Sequence, residues 1–200
     1  HNRCRRQRQM CIRDSLWIAA AVFAAFLGTM TFGHAGLETK PAVVGTYYKA
    51  VMRIPHGCDG AATDTVRVRI PEGMISVKPK PKPNWDVEAV VGAYQNTYDL
   101  YGRAVTEGVV ELIWRGSLPN DQFDEFVFLG KVSDSVPVDA PLHFYTIQHC
   151  KAARIHWIAV PDVGQDRHDL KRPVPILNIE PKGHDNHCLV LPRRPLALWA

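Results

Sequence analysis

The sequence predicts an all-β protein built as an antiparallel β-sandwich. Three observations support this fold class. Short runs in which apolar and polar residues alternate recur along the chain, and turn residues separate them. The chain has 15 prolines, and no helical period longer than about two turns competes with the strand pattern. This combination is typical of a sandwich of many short strands.

The strands are justified by their alternation and by the residues at their ends. Residues 47–54 stop at Pro55, and residues 65–70 (TVRVRI) alternate apolar and charged side chains as a half-buried strand does. Residues 78–84 (KPKPKPN) are predicted to be an extended loop, because proline cannot donate a ladder hydrogen bond. The predicted strands are residues 47–54, 65–70, 75–77, 85–90, 109–114, 125–129, 142–148, 153–160 and 176–179.

Residues 1–33 are predicted to be a secretory signal peptide. Five arginines between positions 3 and 13 precede an apolar run at residues 16–32. An uncleaved anchor is the alternative, although this run is at the short end of what spans a bilayer. The first residues are treated as non-native in this prediction, because the chain begins with His1 rather than Met.

The basic character of the chain belongs to this leader. The whole chain carries 24 Lys and Arg against 20 Asp and Glu, a formal net charge of +4. Without the leader both totals become 19, because five arginines and Asp14 are removed. A neutral mature protein gives no reason to expect binding to nucleic acid or to an anionic membrane surface.

Three cysteines remain after the leader, namely Cys58, Cys150 and Cys188. An oxidising compartment favours one disulfide and one unpaired cysteine. We predict a Cys58–Cys150 disulfide, because Cys188 lies beyond the last strand-like segment. Residues 182–200 are predicted to form a flexible tail. His184, His187 and Cys188 in that tail are metal-ligand types, but no predicted scaffold orders them.

The junction TFGHAGLE, residues 31–38, contains two signals for cleavage. Cleavage after Gly33 would start the mature chain at His34, whereas cleavage after Ala35 would remove that histidine. A terminal histidine offers its α-amine and its imidazole Nδ1 to one metal ion, and such nitrogen donors suit Cu(II). The signals alone leave both cleavage sites open.

Several separate motifs now point to one family. The chain resembles the YcnI-like family of exported copper-binding proteins, in its Gram-negative form, from about residue 34 to residue 181. Two positions depart from the family pattern: Ala35-Gly36 replaces a β-branched strand start, and Asn84 replaces a glycine before Trp85. The matching motifs are His34, GTYYK at 45–49, PHGC at 55–58, RIPEG at 69–73, KPKPNW at 80–85, DEF at 124–126, QHC at 148–150 and IHW at 155–157.

The resemblance implies both a fold and a function. The fold would be a sandwich of immunoglobulin or cupredoxin-like shape over residues 34–181, with processing that begins the mature chain at His34. The function would be non-enzymatic: binding of copper by the amino-terminal histidine and trafficking of Cu(II) in the periplasm, with no membrane span after cleavage. Its partners would be another periplasmic copper chaperone or an inner-membrane copper transporter.

Two further candidate copper ligands, His56 and Trp157, lie close in sequence to the cysteines of the predicted disulfide. His56 lies two residues before Cys58, and Trp157 lies seven after Cys150, so the bridge would bring both to one end of the sandwich. An imidazole at His56 would be a ligand, or else a loop histidine beside the disulfide. Tryptophan near copper is a feature of the family, so Trp157 would shield the ion, or else fill the core.

Two carboxylates complete the predicted ligand set. Glu38 would share a face with His34 if the opening segment is a strand, and Glu125 belongs to the DEF motif. Anionic oxygen from either would complete a Cu(II) site. His143, His149 and His156 are interpreted as structural or surface residues, as alternatives to further ligands.

Two other classes of function remain as alternatives. A copper oxidase would use a second histidine, such as His56, to complete a histidine brace, although no flat aromatic array for a carbohydrate is evident. An adhesion or assembly module would pair a sheet edge with a partner and leave His34 incidental. A hydrolase is not supported, because no serine lies in a nucleophile-elbow context.

Overall fold

The computed structural model describes residues 33–38 and 41–183. The predicted signal peptide and the tail from His184 onward lie outside this range. Within it, no helix is long and apolar enough to cross a membrane. The described strands are β1 (Gly36–Leu37), β2 (Ala42–Val43), β3 (Tyr47–Ile54), β4 (Thr63–Arg69), β5 (Met74–Pro79), β6 (Asp86–Leu100), β7 (Arg103–Leu118), β8 (Asp124–Val132), β9 (Leu142–His143), β10 (Thr146–Cys150), β11 (Ala153–Trp157), β12 (Ile176–Leu177) and β13 (Ile179–Glu180), with a short 3-10 helix at Arg167–Asp169.

The strands form two main antiparallel sheets, which confirms the predicted fold class. The four-stranded sheet has the order β1-β3-β8-β5, and the five-stranded sheet has the order β11-β10-β4-β7-β6. Two small pairs, β12 with β9 and β13 with β2, lie beside them, and only the second of these is parallel. The fold is therefore a sandwich whose sheets each bury one face.

The core lies between the inner faces of the two sheets. Trp114 from the five-stranded sheet meets Phe126 from the four-stranded sheet edge to face, with 5.4 Å between ring centroids. Both side chains are fully buried. Along a strand, side chains that point into the core alternate with side chains that point away from it, so apolar residues recur with a period of two in the sequence.

The Cys58–Cys150 disulfide is present, as predicted. It joins the loop after β3 to the last residue of β10, with 5.8 Å between Cα atoms and 92 residues of separation. Both cysteines are buried. The bridge therefore fixes the loop containing His56 to the end of the five-stranded sheet.

The hairpin of β6 and β7 is much longer than the predicted strands at residues 85–90 and 109–114. Its outer part is largely exposed, so the sequence there lacks the alternation that burial imposes. Glu72 anchors it instead, because its Oε1 accepts hydrogen bonds from the backbone N–H groups of Gln95 and Asn96 and from the Tyr98 hydroxyl.

Other boundaries differ from the prediction as well. Strand β11, for example, ends at Trp157 rather than at residue 160, and the predicted strand 176–179 is divided into β12 and β13. Strand β5 continues to Pro79, inside the predicted loop 78–84, because β5 is an edge strand where a missing N–H is tolerated. The predicted strand 142–148 is divided into β9 and β10, since the Phe144 N–H between them bonds to the Pro175 carbonyl.

Candidate metal centre

His34 lies at the start of the sandwich, just before β1. Strand β1 pairs with the last part of β3, with Gly36 opposite Arg53 and Leu37 opposite Met52. Ala35 is fully buried, whereas His34 is half-buried. The chain is thus held at the end of the four-stranded sheet, and the imidazole is left partly accessible there.

Trp157 is the nearest aromatic neighbour of His34. The two ring centroids are 6.3 Å apart and the rings meet edge to face at 62°. Trp157 ends β11 and is 3% exposed, and its Nε1 donates a hydrogen bond of 3.1 Å to Gln148 Oε1. Trp157 is therefore a core residue that also forms one wall beside His34.

Gln148 connects this wall to the loop that carries His56. The Gln148 Nε2 donates to the His56 carbonyl at 2.5 Å and to Thr63 Oγ1 at 2.7 Å. Gln148 is fully buried, so each of these bonds replaces one that water would otherwise supply. The structure thus brings the His56 backbone to the same end of the sandwich as Trp157.

The His56 side chain is engaged locally. Its Nδ1 lies 2.5 Å from the carbonyl oxygen of Gly57. Since a carbonyl only accepts, Nδ1 carries the proton in this contact. Only Nε2 remains for a metal ion, and a role for His56 as a ligand stays a prediction.

The two predicted carboxylates belong to the four-stranded sheet and its margin. Glu38 follows β1, and its backbone N–H donates a hydrogen bond of 3.1 Å to the Val51 carbonyl. Glu38 is four residues after His34, and four residues of extended chain span about 13 Å between Cα atoms. Glu125 is exposed on β8 opposite Arg53, next to the buried Phe126. Among the described residues, no three His, Cys, Asp or Glu side chains are grouped to hold a metal ion. Both carboxylates stay predictions as ligands.

The sequence analysis assigned no role to residues 161–172, a loop that contains two basic residues, Arg167 and His168. Burial first, and then the charges of Arg167 and His168, lower the pKa of His34 below its usual range. The neutral imidazole is the form that binds metal. The loop was missed because it lacks a strand pattern; the signal was a histidine and an arginine shortly after Trp157.

A family model described as a domain of unknown function, DUF1775, matches residues 34–179. The chain belongs to the DUF1775 family. The YcnI-like proteins form this same family, so the resemblance is confirmed at that level. The DUF1775 match begins at His34.

Solved structures support the fold of this DUF1775 domain. An uncharacterized protein from Nocardia farcinica, whose crystal structure reveals an immunoglobulin-like fold, is similar with a TM-score of 0.54 and 20% sequence identity. The similarity covers 73% of this chain and 97% of that one. At this identity the likeness shows the fold alone. No curated protein matches the chain.

Proposed function

We propose that this DUF1775 protein is a non-enzymatic copper-binding protein that holds Cu(II) through His34 in the periplasm. The proposal requires cleavage after Gly33, so that His34 carries the free α-amine. The observation that supports it best is the contact between His34 and Trp157, with 6.3 Å between ring centroids. It gives the proposed chelate a fixed wall at an accessible end of the sandwich.

The chemistry of His34 fits Cu(II). An α-amine and an imidazole from one residue form a chelate of two nitrogen donors, which a tetragonal Cu(II) centre prefers. The lowered pKa of His34, caused by burial and then by Arg167 and His168, keeps its imidazole neutral at neutral pH. Copper affinity should fall as the pH is lowered, because protons compete for an amine of pKa about 7.7–8.0 and for the imidazole.

Trafficking fits this site better than catalysis does. A chelate from one residue leaves coordination positions open, which a donor or acceptor protein would fill during transfer. We expect such a partner to be another periplasmic copper chaperone or an inner-membrane copper transporter. Copper is then cargo, and we expect the fold to survive without it because neither the hydrophobic core nor the Cys58–Cys150 disulfide requires a metal ion.

The amine provides the decisive test. We compare copper titrations and electron paramagnetic resonance of the protein starting at His34, of the same protein with one added Met before His34, and of His34→Ala. The added Met and His34→Ala should each abolish tight binding while the fold survives. A control with His184 and His187 both changed to Ala should retain one tight site. Unchanged stoichiometry and spectra in the Met-extended protein would refute the proposal.

A further inference from the structure

We propose that the open edge of strand β11 binds an extended acidic segment of a partner protein, which adds a strand to the five-stranded sheet. Strand β11 is an end strand of that sheet, and among the described strands it pairs with β10 alone. Extended segments bind to such edges through main-chain hydrogen bonds. The inference goes beyond the proposed copper function and does not depend on it. It rests on the backbone of β11 and on the side chains beside that backbone.

The turn between β10 and β11 determines which backbone groups of β11 face the open edge. Cys150 and Ala153 pair across a turn of two residues, so they exchange backbone hydrogen bonds. Hydrogen-bonded pairs alternate with non-hydrogen-bonded pairs along an antiparallel ladder. The register between β10 and β11 has no shift, so Arg154 and His156 occupy non-hydrogen-bonded positions. Their N–H and carbonyl groups therefore point away from β10.

The backbone groups of Arg154 and His156 are available to an added strand. They bond to no other backbone group in the part of the chain that the structure describes. The returning segment 172–174 instead bonds to the N–H and carbonyl of Ala159, beyond the end of β11. An antiparallel strand could therefore exchange two hydrogen bonds with each of the two residues.

The side chains of Arg154 and His156 stand on the outer face of the five-stranded sheet. They alternate along β11 with buried, inward-facing residues, and both are exposed. Neither forms an ion pair with a carboxylate of the described residues. Arg67 on β4, by contrast, binds Glu111 through Nε at 3.0 Å and Nη2 at 2.8 Å. The edge strand thus carries two basic side chains without an acidic partner.

The charge of these side chains decides which strand fits the edge. Residues of an added strand that bond to Arg154 and His156 place their own side chains directly opposite, on the same face of the sheet. Carboxylates at these positions would accept hydrogen bonds from both, and a guanidinium can bind a carboxylate through two such bonds. A second copy of β11 is disfavoured, because it would place basic side chains opposite one another. The partner segment therefore has acidic residues at alternate positions.

The other end strands of the two main sheets are less suited to such a segment. Strand β1 has only two residues. Strand β5 contains Pro79, which has no N–H to donate. Strand β6 carries the acidic residues Asp86 and Glu88, which would repel a carboxylate. We therefore assign the acidic segment to β11.

Two peptides test for strand addition. The acetylated and amidated heptapeptides TEVEVET and TQVQVQT are added at millimolar concentration to the metal-free protein, and amide hydrogen exchange is followed by nuclear magnetic resonance. The glutamate peptide should slow exchange at the Arg154 and His156 N–H groups, because it would supply the hydrogen bonds that they lack. The glutamine peptide should protect them much less. Attraction by charge alone would leave both exchange rates unchanged.

Affinity for the glutamate peptide should also depend on the two basic side chains. A cross-strand pair of opposite charges contributes up to about fivefold in binding. Arg154→Gln combined with His156→Gln should therefore weaken binding by about 5–25-fold. The matched control combines Lys78→Gln with Lys80→Gln, which are exposed and have the same spacing at the end of β5. This control should bind as tightly as the wild type.

Several outcomes would overturn the proposal. One is unchanged exchange at Arg154 and His156 in the presence of the glutamate peptide. Another is equal affinity for the glutamine peptide. Equal losses in the two double variants would show that the total charge of the protein, rather than the edge of β11, attracts the peptide. Because the experiment contains no copper, none of these outcomes bears on the proposed function.

Discussion

Gln148 lies fully buried between Trp157 and the loop that carries His56, and its amide bonds in both directions. Replacement by Leu would leave the Trp157 N–H and the His56 carbonyl without this partner in the protein interior. An unsatisfied buried polar group costs about 1–3 kcal/mol. We therefore expect Gln148→Leu to lower the free energy of unfolding by about 2–3 kcal/mol in urea denaturation.

The control for this prediction is Gln122→Leu, at an exposed position of the β7–β8 loop. It should change the free energy of unfolding by less than about 0.5 kcal/mol. If the two variants were equally stable, the hydrogen bonds of Gln148 would not be holding the wall of the site in place.

At the residue scale, the chemical type of a residue was easier to interpret from the sequence than its position in the fold. Two cysteines before a predicted flexible tail carry their meaning in their type and context, so the Cys58–Cys150 bridge was predicted correctly. The metal-binding role of His34 stays a prediction. The role of Gln148 was not predicted, because a polar residue in a strand does not reveal which face it lies on. The contact between His34 and Trp157 does not follow from the sequence pattern, because it joins β11 to the segment before β1, which are far apart in sequence.

Among the elements, the long hairpin of β6 and β7 receives three hydrogen bonds to one carboxylate, Glu72. Glu72 holds three donors of this hairpin, and burial first and then its hydrogen bond raise the pKa of Tyr98 to about 12. Glu72→Ala should bring the pKa of Tyr98 closer to 10, since a negative neighbour disfavours the phenolate. It should also accelerate hydrogen exchange at the amides of Gln95 and Asn96.

Ultraviolet titration of tyrosine and amide exchange by nuclear magnetic resonance measure these two effects. Glu107→Ala, an exposed carboxylate on the same hairpin, is the matched control and should change neither. Unchanged exchange at Gln95 and Asn96 in Glu72→Ala would mean that the hairpin does not depend on this anchor.

Element boundaries were predictable where burial imposes a pattern. Strand β3 was predicted over the same residues that it occupies, 47–54, because turn residues bound this run and Pro55 ends it. The outer part of β6 and β7 was missed because both faces of a solvated hairpin accept polar residues. Pro79 was assigned to a loop because position at a sheet edge is a property of the assembled sheet.

For the whole molecule, Asp134 links separate parts of the chain through two lysines. It bonds to Lys131 at 3.0 Å and to Lys182 at 2.5 Å, and Lys131 is buried. The hydrogen bonds from Lys182 and Lys131 lower the pKa of Asp134 from 3.8 to about 2. The folded state therefore takes up this proton less readily than the unfolded chain.

The sign of the pH effect follows from this lowered pKa. The stabilisation is complete above the unfolded pKa near 4 and is lost as the pH falls toward 2. Since Asp134 is about half exposed, we expect Asp134→Asn to cost only about 1 kcal/mol at neutral pH. Between pH 4 and pH 2, the free energy of unfolding of Asp134→Asn should also fall less steeply than that of the wild type.

Urea denaturation at several pH values checks this prediction, with Asp121→Asn, at an exposed loop position, as the control. The control should follow the wild-type pH profile. Parallel profiles for Asp134→Asn and the wild type would show that Asp134 does not stabilise the fold through its charge.

The fold class of the molecule followed from composition and periodicity, whereas the order of strands within each sheet did not. Alternation reveals that a segment has one buried face, but any strand with such a face can pair with any other. The neighbours of β4, for example, are β10 and β7, which lie far from it in sequence. The contact of Trp157 with His34 depends on such distant pairings.

The shortness of β1 ties the surroundings of His34 to the fraying of one sheet edge. Two residue pairs, Gly36 with Arg53 and Leu37 with Met52, attach this strand to β3. Opening so short a strand is a local event of low free energy. Each opening would take His34 away from Trp157, so that a chelate formed by His34 alone would keep its own two nitrogen atoms but lose its wall. A competing strand that took the place of β1 on β3 would therefore leave an ion at His34 open to solvent and to an acceptor.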